Sequence, residues 1–202
     1  IVGMPRHVKR AFDILVSLSV LVLTAPILAI VMALIRLDSS GPAMFRQDRV
    51  GENGRIFRMF KFRTMVVAAE ELDRHFEQET DLTAIHHKRR SDPRVTRVGR
   101  LLRRYSLDEL PQLFNVFLGE MSLVGPRPEL PWLVAKYDSW QRQRLAVPQG
   151  MTGWWQVTGR SDKPMHLHTD EDLYYVYNYS LWLDLQILAK TIRVVVKGKG
   201  AF

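Results

Sequence analysis

The sequence predicts a predominantly helical α+β fold that contains one membrane-inserted helix, further amphipathic helices and a small β-hairpin. An uncharged, mainly apolar run covers residues 14–35, and about 20 such residues are enough to cross a bilayer as a helix. Two short basic segments rich in aromatic residues flank the turn at residues 51–54, which is typical of a hairpin. Most of the remaining chain shows helical periodicity between Gly and Pro breaks.

The composition favours an anionic partner and excludes cysteine chemistry. The 202 residues, which fit one or at most two domains, carry 29 Lys+Arg against 21 Asp+Glu, a net charge of +8. This balance suits a phosphorylated substrate, a lipid headgroup surface or a nucleic acid. The absence of cysteine rules out disulfides, thiolate catalysis and cysteine-built zinc sites. Because the chain begins with Ile1, we interpret it as part of a longer protein.

The apolar run has two features that argue against a simple membrane span. Pro26 lies near its middle, where it removes a backbone hydrogen bond and kinks the helix, and Thr24 is placed to bond freed backbone groups. Both flanks are basic: Arg6, Lys9 and Arg10 precede the run, and Arg36, Arg46 and Arg49 follow it. Since Lys and Arg favour the cytoplasmic side, the sequence favours a re-entrant helix that enters one leaflet and returns, with a true span as the alternative.

The rest of the chain predicts the following elements in order. The segments MFRQDRVG and RIFRMFKFR form the hairpin, a polar helix covers about 67–79, and residues 86–90 form a basic loop. Helices follow at 98–105 and from Ser106 to Gly119, then helical periodicity at 129–146 and a turn-rich segment at 150–159. From about 170 we expect two helices broken at Asn178, with Ser180 as the N-cap of the second. The apolar residues of this last helix predict either a core face or a membrane-interface face: Leu181, Trp182, Leu185, Leu188 and Ile192.

Two adjacent carboxylates, Asp108 and Glu109, are the strongest candidates for chemistry. Ser106 and Glu109 have the S-x-x-E spacing of a capping box, and Pro111 is tolerated only near a helix start. The carboxylates would then lie where free N–H groups and the helix dipole keep them ionised and attract phosphate and magnesium. The alternative is an ordinary capped surface helix.

Several basic residues lie on segments rich in Gly, Pro, Ser and Thr, a setting that phosphate recognition favours. They are Lys61, Arg63, Arg103, Arg127 and Arg160. Arg127 stands out because prolines on both sides hold its loop at low entropic cost. Each residue taken alone is equally compatible with a solvated surface base. The histidine pairs His86-His87 and His166-x-His168 lack an evident third ligand, and Trp154-Trp155 is interpreted as packing or an interfacial anchor.

The motifs taken together resemble the monotopic phosphoglycosyl transferases, a bacterial sugar transferase family that starts glycan assembly on a polyprenol phosphate carrier. The matching motifs are KRAFD, SSGPAMFRQDRVG, FRMFKFRTM, SDPRVTRVGRLLRRYSLDELPQLFNVFLGEMSLVGPRPE and GMTGWWQVTGRSD, with the surroundings of Asp172 and Asp184. They cover nearly the whole chain. The ending SLWLDLQILAKTIRVVVKGKGAF resembles the catalytic part of larger members, which transfer hexose-1-phosphate.

The resemblance implies a two-step reaction. A carboxylate attacks the sugar-linked phosphorus of a UDP-sugar and releases UMP, and undecaprenyl phosphate then takes the phosphosugar from the enzyme. Asp108 would be the nucleophile, and Glu109 would hold Mg²⁺ or handle a proton. Lys61, Arg103 and Arg127 would neutralise the diphosphate, and Arg63, Arg160 and Asp172 match further substrate-binding positions.

The resemblance also implies a place in the cell and a division of the chain. Residues 1–37 would form the basic entry and the re-entrant helix, and residues 38–202 the catalytic domain at the cytoplasmic face of the bacterial inner membrane. Membrane lipid is an expected partner, nucleic acid is not, and self-association is left open. Two rivals remain: a membrane-anchored nucleic-acid binder, which leaves Asp108, Glu109 and Arg127 unexplained, and a catalytically silent scaffold for glycan assembly.

Overall fold

The computed structural model describes residues 5–66, 92–158 and 168–197, and the backbone alone at residues 196 and 197. The helices within this part of the chain are α1 (Arg6–Asp38), α2 (Arg97–Arg104), α3 (Gln112–Leu118), α4 (Pro131–Ala135), α5 (Ser139–Arg142), α6 (Trp154–Thr158), α7 (Thr169–Tyr177) and α8 (Leu181–Lys197). The strands are β1 (Met44–Val50), β2 (Ile56–Phe62), β3 (Ser122–Val124) and β4 (Gly150–Thr152). The expected mainly helical α+β fold is therefore confirmed.

Helix α1 is the helix in the described chain that is long and apolar enough to cross a membrane. It buries one stripe of side chains against the body of the protein: Lys9, Asp13, Ser17, Leu21, Leu28, Val31 and Ile35. The opposite side exposes large apolar residues such as Leu15, Leu23 and Ile30. A helix with one face on a protein core and the other apolar face outward is suited to lipid contact.

Pro26 lies inside α1, where the missing N–H leaves the carbonyl of Val22 without its usual partner. The Thr24 hydroxyl donates to the carbonyl of Val20 at 2.6 Å. The expectation that Thr24 bonds the group freed by Pro26 is therefore wrong. Thr24 bonds the carbonyl of Val20, whereas Pro26 frees the carbonyl of Val22.

Both ends of α1 are attached to the same body. Near the start, the Arg10 guanidinium donates to the carbonyls of Val116 and Phe117 at 2.5 and 2.6 Å, at the end of α3. At the far end, the Arg63 guanidinium donates to the carbonyls of Ser39 and Ser40, each at 2.7 Å. These cations bind carbonyls in the last turn of α3 and directly after the last residue of α1, where the negative end of the helix dipole favours positive charge.

A buried cluster of charged and polar groups joins α1 to α8 and β3. The Lys9 ammonium donates to Asp184 Oδ2 at 2.6 Å and lies 3.2 Å from Asp13 Oδ1. Asp13 accepts the backbone N–H of Leu123, and the Tyr175 hydroxyl lies 2.7 Å from Asp184 Oδ1. Because buried charges are tolerated only when paired and hydrogen-bonded, this cluster sets the position of α1 on the body.

The predicted hairpin is confirmed, with β1 and β2 antiparallel and Met44 opposite Phe62. Asn53 and Gly54 take positive φ in the turn, as tight hairpin connections require. The buried amide of Asn115 accepts the Phe60 N–H at 2.9 Å and donates to the Arg58 carbonyl at 2.7 Å. Asn115 thereby docks α3 against the outer side of β2.

The predicted helix at 98–105 is confirmed by α2, and the break at Asn178 by the end of α7. The Ser180 hydroxyl accepts the N–H of Leu183 at 3.3 Å, as expected for the N-cap. The helical pattern at 129–146 proves to be two short helices and a final 3-10 turn, because Asp138 starts a new capping box. The helix at 67–79 and the loop at 86–90 lie outside the described residues.

The predicted core face of the last helix is wrong for three of its five residues. Trp182, Leu185 and Ile192 are exposed, at 70%, 43% and 66%, whereas Leu183 and Ile187 are buried in the core. The bonds of Asp184 to Lys9 and Tyr175 hold this side chain in the interior beside Leu183. They thereby rotate α8 about its own axis, away from the orientation that the apolar pattern predicts. The membrane-interface alternative for the exposed residues stays a prediction.

We expect Lys9→Met to lower the free energy of unfolding by about 3–5 kcal/mol, because it leaves the buried Asp13 and Asp184 carboxylates without their cation. Unfolding of the detergent-solubilised protein by urea at neutral pH measures the loss. Arg55→Met, which removes an exposed cation from the hairpin, is the matched control and should change little. Equal stability of the two variants would contradict the importance of the Lys9 cluster.

Candidate active site

Asp108 and Glu109 lie on a 3-10 turn, Leu107–Glu109, that leads into α3. The predicted capping box is wrong: Ser106 has φ of 55° and makes no side-chain cap bond, whereas an N-cap residue needs extended backbone. The Glu109 carboxylate is drawn instead to cations from distant segments. Pro111 precedes α3 directly as its N-cap residue.

Glu109 is held by two cations. Its Oε1 accepts Arg127 Nη2 at 2.6 Å and the Lys61 ammonium at 3.2 Å, and its Oε2 lies 3.4 Å from Arg127 Nη1. Burial alone would raise the pKa of Glu109, but Arg127 and Lys61 outweigh it and hold that pKa well below the usual range. Burial lowers the pKa of Lys61, and Glu109 opposes that change. Glu109 is therefore a permanent anion that keeps Arg127 and Lys61 together.

Asp108 is partly exposed and shows no hydrogen bond or ion pair with any residue in the described ranges. Burial raises its pKa, and the negative charge of Glu109 raises it further, while Lys61, Arg103 and Arg127 act in the opposite direction. The two neighbouring carboxyls thus have opposite pKa shifts. Such a pair is suited to two different tasks.

Three backbone hydrogen bonds, two from β4 and one from β1, hold the loop that carries Arg127. The N–H of Gly125 donates to the Thr152 carbonyl at 2.9 Å, and the Pro126 carbonyl accepts the N–H of Gly150 at 2.8 Å. At its far end, the Glu129 carbonyl accepts the N–H of Val50 at 2.9 Å. The rigid Pro-Arg-Pro setting predicted from the sequence therefore has its structural counterpart in these bonds.

Three glycines allow this loop to lie against β4. A Cβ atom on Gly125 would lie 2.2 Å from the Pro148 carbonyl, one on Gly150 would lie 2.1 Å from the N–H of Gly125, and one on Gly153 would lie 2.3 Å from the Gly125 carbonyl. These separations are far below van der Waals contact. The segment predicted as turn-rich folds mainly as β4 and α6, and its Gly150 and Gly153 serve close backbone approach beside the site.

Arg103 is oriented towards the site by the end of β2. Its Nε donates to Thr64 Oγ1 at 2.9 Å, and the Thr64 carbonyl accepts the N–H of Thr96, the N-cap of α2. A Cβ on Gly99 would lie 2.1 Å from that carbonyl. Because Gly99 lets α2 approach the strand end, Arg103 lies close to Asp108. Its positive charge opposes part of the rise in the pKa of the Asp108 carboxyl.

The structure brings together some of the predicted site residues and places others elsewhere. Lys61, Glu109 and Arg127 are in direct contact, with Asp108 and Arg103 beside them. Arg63 is buried and binds the end of α1, so its predicted role in substrate binding has no support from its contacts and stays a prediction. Arg160 lies outside the described residues.

Asp172, the remaining predicted substrate ligand, is buried with a partner that the sequence did not reveal. Arg144 donates from Nε and Nη2 to Asp172 Oδ2 at 2.9 and 2.6 Å. Burial raises the pKa of Asp172, and Arg144 opposes that shift. No motif distinguishes Arg144 from the other arginines around it, so this pair could be found only from the fold.

Arg49, which the sequence indicates only as part of a basic flank, also lies beside the site. Its guanidinium lies 3.3 Å from the Pro128 carbonyl and 3.4 Å from Glu129 Oε1. Burial lowers the pKa of Arg49 to about 10, so it remains charged at neutral pH. Arg49 thus adds a partly buried cation next to the Arg127 loop.

The donor set fits a magnesium ion that is shared with a phosphorylated ligand. Mg²⁺ in such sites uses one or two carboxylates, phosphate oxygens and water. Asp108 can supply a carboxylate oxygen, whereas both oxygens of Glu109 already accept from cations. Within the described residues there is no group of three or more His, Cys, Asp or Glu side chains that could hold a metal, so the protein alone does not form a full ligand cage there.

Comparison with known proteins assigns the family. The family model described as bacterial sugar transferase matches residues 4–198. The chain is 40% identical to the galactosyl transferase CpsE of Streptococcus agalactiae, over 96% of this chain and 43% of that protein. It is 40% identical to the undecaprenyl-phosphate galactose phosphotransferase of Salmonella typhimurium, over 98% of this chain and 42% of that protein.

A shorter relative matches along most of its own length. The exopolysaccharide production protein ExoY of Rhizobium meliloti is 40% identical over 96% of this chain and 88% of that protein. The chain therefore belongs to the bacterial sugar transferase family, as the sequence motifs predicted. It spans less than half the length of the CpsE and Salmonella relatives.

We expect the carboxyl of Asp108 to titrate above its usual value of 3.8. In Glu109→Gln its pKa should fall, because the substitution removes a neighbouring negative charge that favours the protonated form. The ¹³C chemical shift of the labelled carboxyl, followed against pH, measures both values. Asp170→Asn, at an exposed position on α7, is the control variant and should leave the titration of Asp108 unchanged. An unchanged or higher Asp108 pKa in Glu109→Gln would contradict the coupling.

Proposed function

We propose that this chain transfers a sugar-1-phosphate, with hexose-1-phosphate the first expectation, from a UDP-sugar to undecaprenyl phosphate, with release of UMP. The observation that carries the proposal is the site itself: Asp108 lies beside a cluster in which Glu109 holds Arg127 and Lys61. The family supports it, since relatives are named for galactose, glucose and N-acetylgalactosamine phosphotransfer to undecaprenyl phosphate.

In the first step, an Asp108 carboxylate oxygen attacks the sugar-linked phosphorus of the UDP-sugar. A bond forms between that oxygen and phosphorus, and the bond from phosphorus to the bridging oxygen breaks. UMP leaves with the electron pair of that bond. In the second step, a phosphate oxygen of undecaprenyl phosphate attacks the same phosphorus, and the carboxylate of Asp108 is released unchanged. Dividing one transfer into two displacements is ordinary covalent catalysis.

The opposite pKa shifts of the two carboxyls support different roles. Asp108 acts in its ionised form, and its raised pKa indicates a carboxylate that is less stabilised by its surroundings than that of Glu109. Glu109 holds Arg127 and Lys61 before substrate arrives, so these cations need little rearrangement to meet a diphosphate. Arg103 completes the positive side of the site. Fixed cations of this kind stabilise charge that develops during phosphoryl transfer.

Mg²⁺ is the cofactor we propose, and Asp108 is the residue best placed to contribute to its binding. When bound, the ion would offset negative charge on the diphosphate. Glu109 was predicted as a second ligand, and it could take that part only after release from Arg127 and Lys61. The protein's own contribution is to hold Asp108, Arg103, Arg127 and Lys61 around the same space.

We further propose that α1 is re-entrant and that the site faces the cytoplasm at the bacterial inner membrane. A straight helix of 33 residues is about 50 Å long, whereas the hydrocarbon core of a bilayer is about 30 Å thick. Arg10 near one end and Arg63 at the other attach α1 to one body that carries many exposed charges. These attachments, together with Pro26 and the basic flanks, support a helix whose two ends lie on the same side.

We expect Asp108→Asn to abolish UMP release, because the amide is too weak a nucleophile to attack phosphorus. Incubation with a panel of UDP-sugars, undecaprenyl phosphate and Mg²⁺ measures turnover, and intact-mass spectrometry of the wild type should reveal a phosphosugar adduct. Asp48→Asn, at an exposed hairpin position, is the control and should keep both activity and adduct. Normal turnover by Asp108→Asn would rule out the aspartyl intermediate.

The topology is tested with single cysteines in this cysteine-free chain. His7→Cys and Ser40→Cys change exposed positions at the two ends of α1. We expect a membrane-impermeant thiol reagent to label both cysteines in inside-out vesicles, whose cytoplasmic face is turned outward. Neither cysteine should be labelled in right-side-out vesicles. Labelling of the two positions from opposite sides would show that α1 spans the membrane.

A further inference from the structure

We propose that Asp172 is a positioning residue that holds Arg127 in place through the buried guanidinium of Arg144, and that it does not contact the sugar nucleotide. The inference rests on the proposed function, because it assigns a task within the same site. It replaces the substrate-binding role that the family resemblance implied for Asp172. It also gives Arg144, which no motif identified, a defined place in the reaction.

Asp172 is too deeply buried to contact a substrate in the observed structure. The side chains of Arg144 and Asp172 are 0% and 1% exposed. Two N–H groups of Arg144 converge on Oδ2 of Asp172 at 2.9 and 2.6 Å. A fully buried ion pair with this geometry cannot open towards a ligand without leaving an uncompensated charge in the core.

The same guanidinium also reaches the loop that carries Arg127. Arg144 Nη2 donates to the backbone carbonyl of Arg127 at 2.7 Å. The Arg144 backbone is in turn held by the side chain of Gln149, which donates to its carbonyl at 3.0 Å. Asp172 on α7 therefore orients Arg144, and Arg144 orients the residue whose side chain meets Glu109.

The position of this carbonyl matters for the chemistry of the Arg127 side chain. The Arg127 guanidinium lies 2.6 Å from Glu109 Oε1 and 3.4 Å from Glu109 Oε2. A planar guanidinium binds carboxylate or phosphate oxygens in pairs only at the right orientation. A shift of the backbone at Arg127 would misdirect that fork even though Arg127 itself is unchanged.

A double-mutant cycle tests the inference. We expect Asp172→Asn to lower kcat/KM for the UDP-sugar on the order of tenfold, as for loss of a charge-assisted contact. In an Arg127→Ala background the same substitution should change kcat/KM by less than about twofold, because effects that act through one group are not additive. Asp170→Asn, on the exposed face of the same helix turn, is the matched control and should be neutral in both backgrounds.

A second readout does not depend on activity. Hydrogen exchange of the backbone amides in residues 122–130 should be faster in Asp172→Asn than in the wild type, and unchanged in Asp170→Asn. Exchange in the hairpin, residues 56–62, should stay the same. If the wild type released no UMP, the proposed function would fail, whereas the exchange result would still decide whether the Arg144–Asp172 pair holds this loop.

A variant without buried charge covers the case in which Asp172→Asn does not fold. Arg144→Met combined with Asp172→Leu removes both charges, and such replacements are often neutral for stability. We expect it to unfold cooperatively like the wild type but to show the same loss of kcat/KM and the same faster exchange. Equal losses from Asp172→Asn with and without Arg127, or wild-type exchange in the uncharged variant, would overturn the inference.

Discussion

The Lys9 ammonium is the point at which the long apolar helix α1 is joined to the body of the protein. Its side chain is 3% exposed, and its partners Asp13 and Asp184 are 4% and 0% exposed. Removal of such charges from water is costly, so they are tolerated only in one closely defined arrangement. That arrangement sets the register of α1 against α8 and β3. The contacts of Arg10 and Arg63 at the ends of α1 depend on the same register.

In the candidate active site, pairing with cations likewise decides the state of a carboxylate, but only one of the two carboxylates is paired. Glu109 shares its oxygens between Arg127 and Lys61, whereas Asp108 next to it has no such partner among the described residues. One carboxylate therefore organises cations, and the other is left available for chemistry. Two adjacent acidic residues acquire different properties because cations from distant parts of the sequence bond directly to Glu109, whereas they lie near Asp108 without bonding to it.

Local signals were sufficient to predict much of the fold. The glycine turn of the hairpin, the helix ending at Arg104 and the break at Asn178 all follow from residues close in sequence. The capping box failed because Arg127 and Lys61, far from Ser106 along the chain, compete for the Glu109 side chain. The predicted buried face of α8 was wrong because the ion pair with Lys9 holds Asp184 in the interior. For the site, the motifs named Lys61, Arg103, Asp108, Glu109 and Arg127, but no local pattern distinguishes Arg144 from its neighbours.

The amide of Asn115 has a consequence for solubility. A two-stranded sheet has exposed edges, and a free edge offers unpaired N–H and C=O groups on which another chain can add as a further strand. Asn115 binds the outward N–H of Phe60 and the outward C=O of Arg58 as a neighbouring strand would. One side chain thus blocks part of that edge against intermolecular β-pairing. On the proposed membrane surface, where chains would meet often, this protection would matter most.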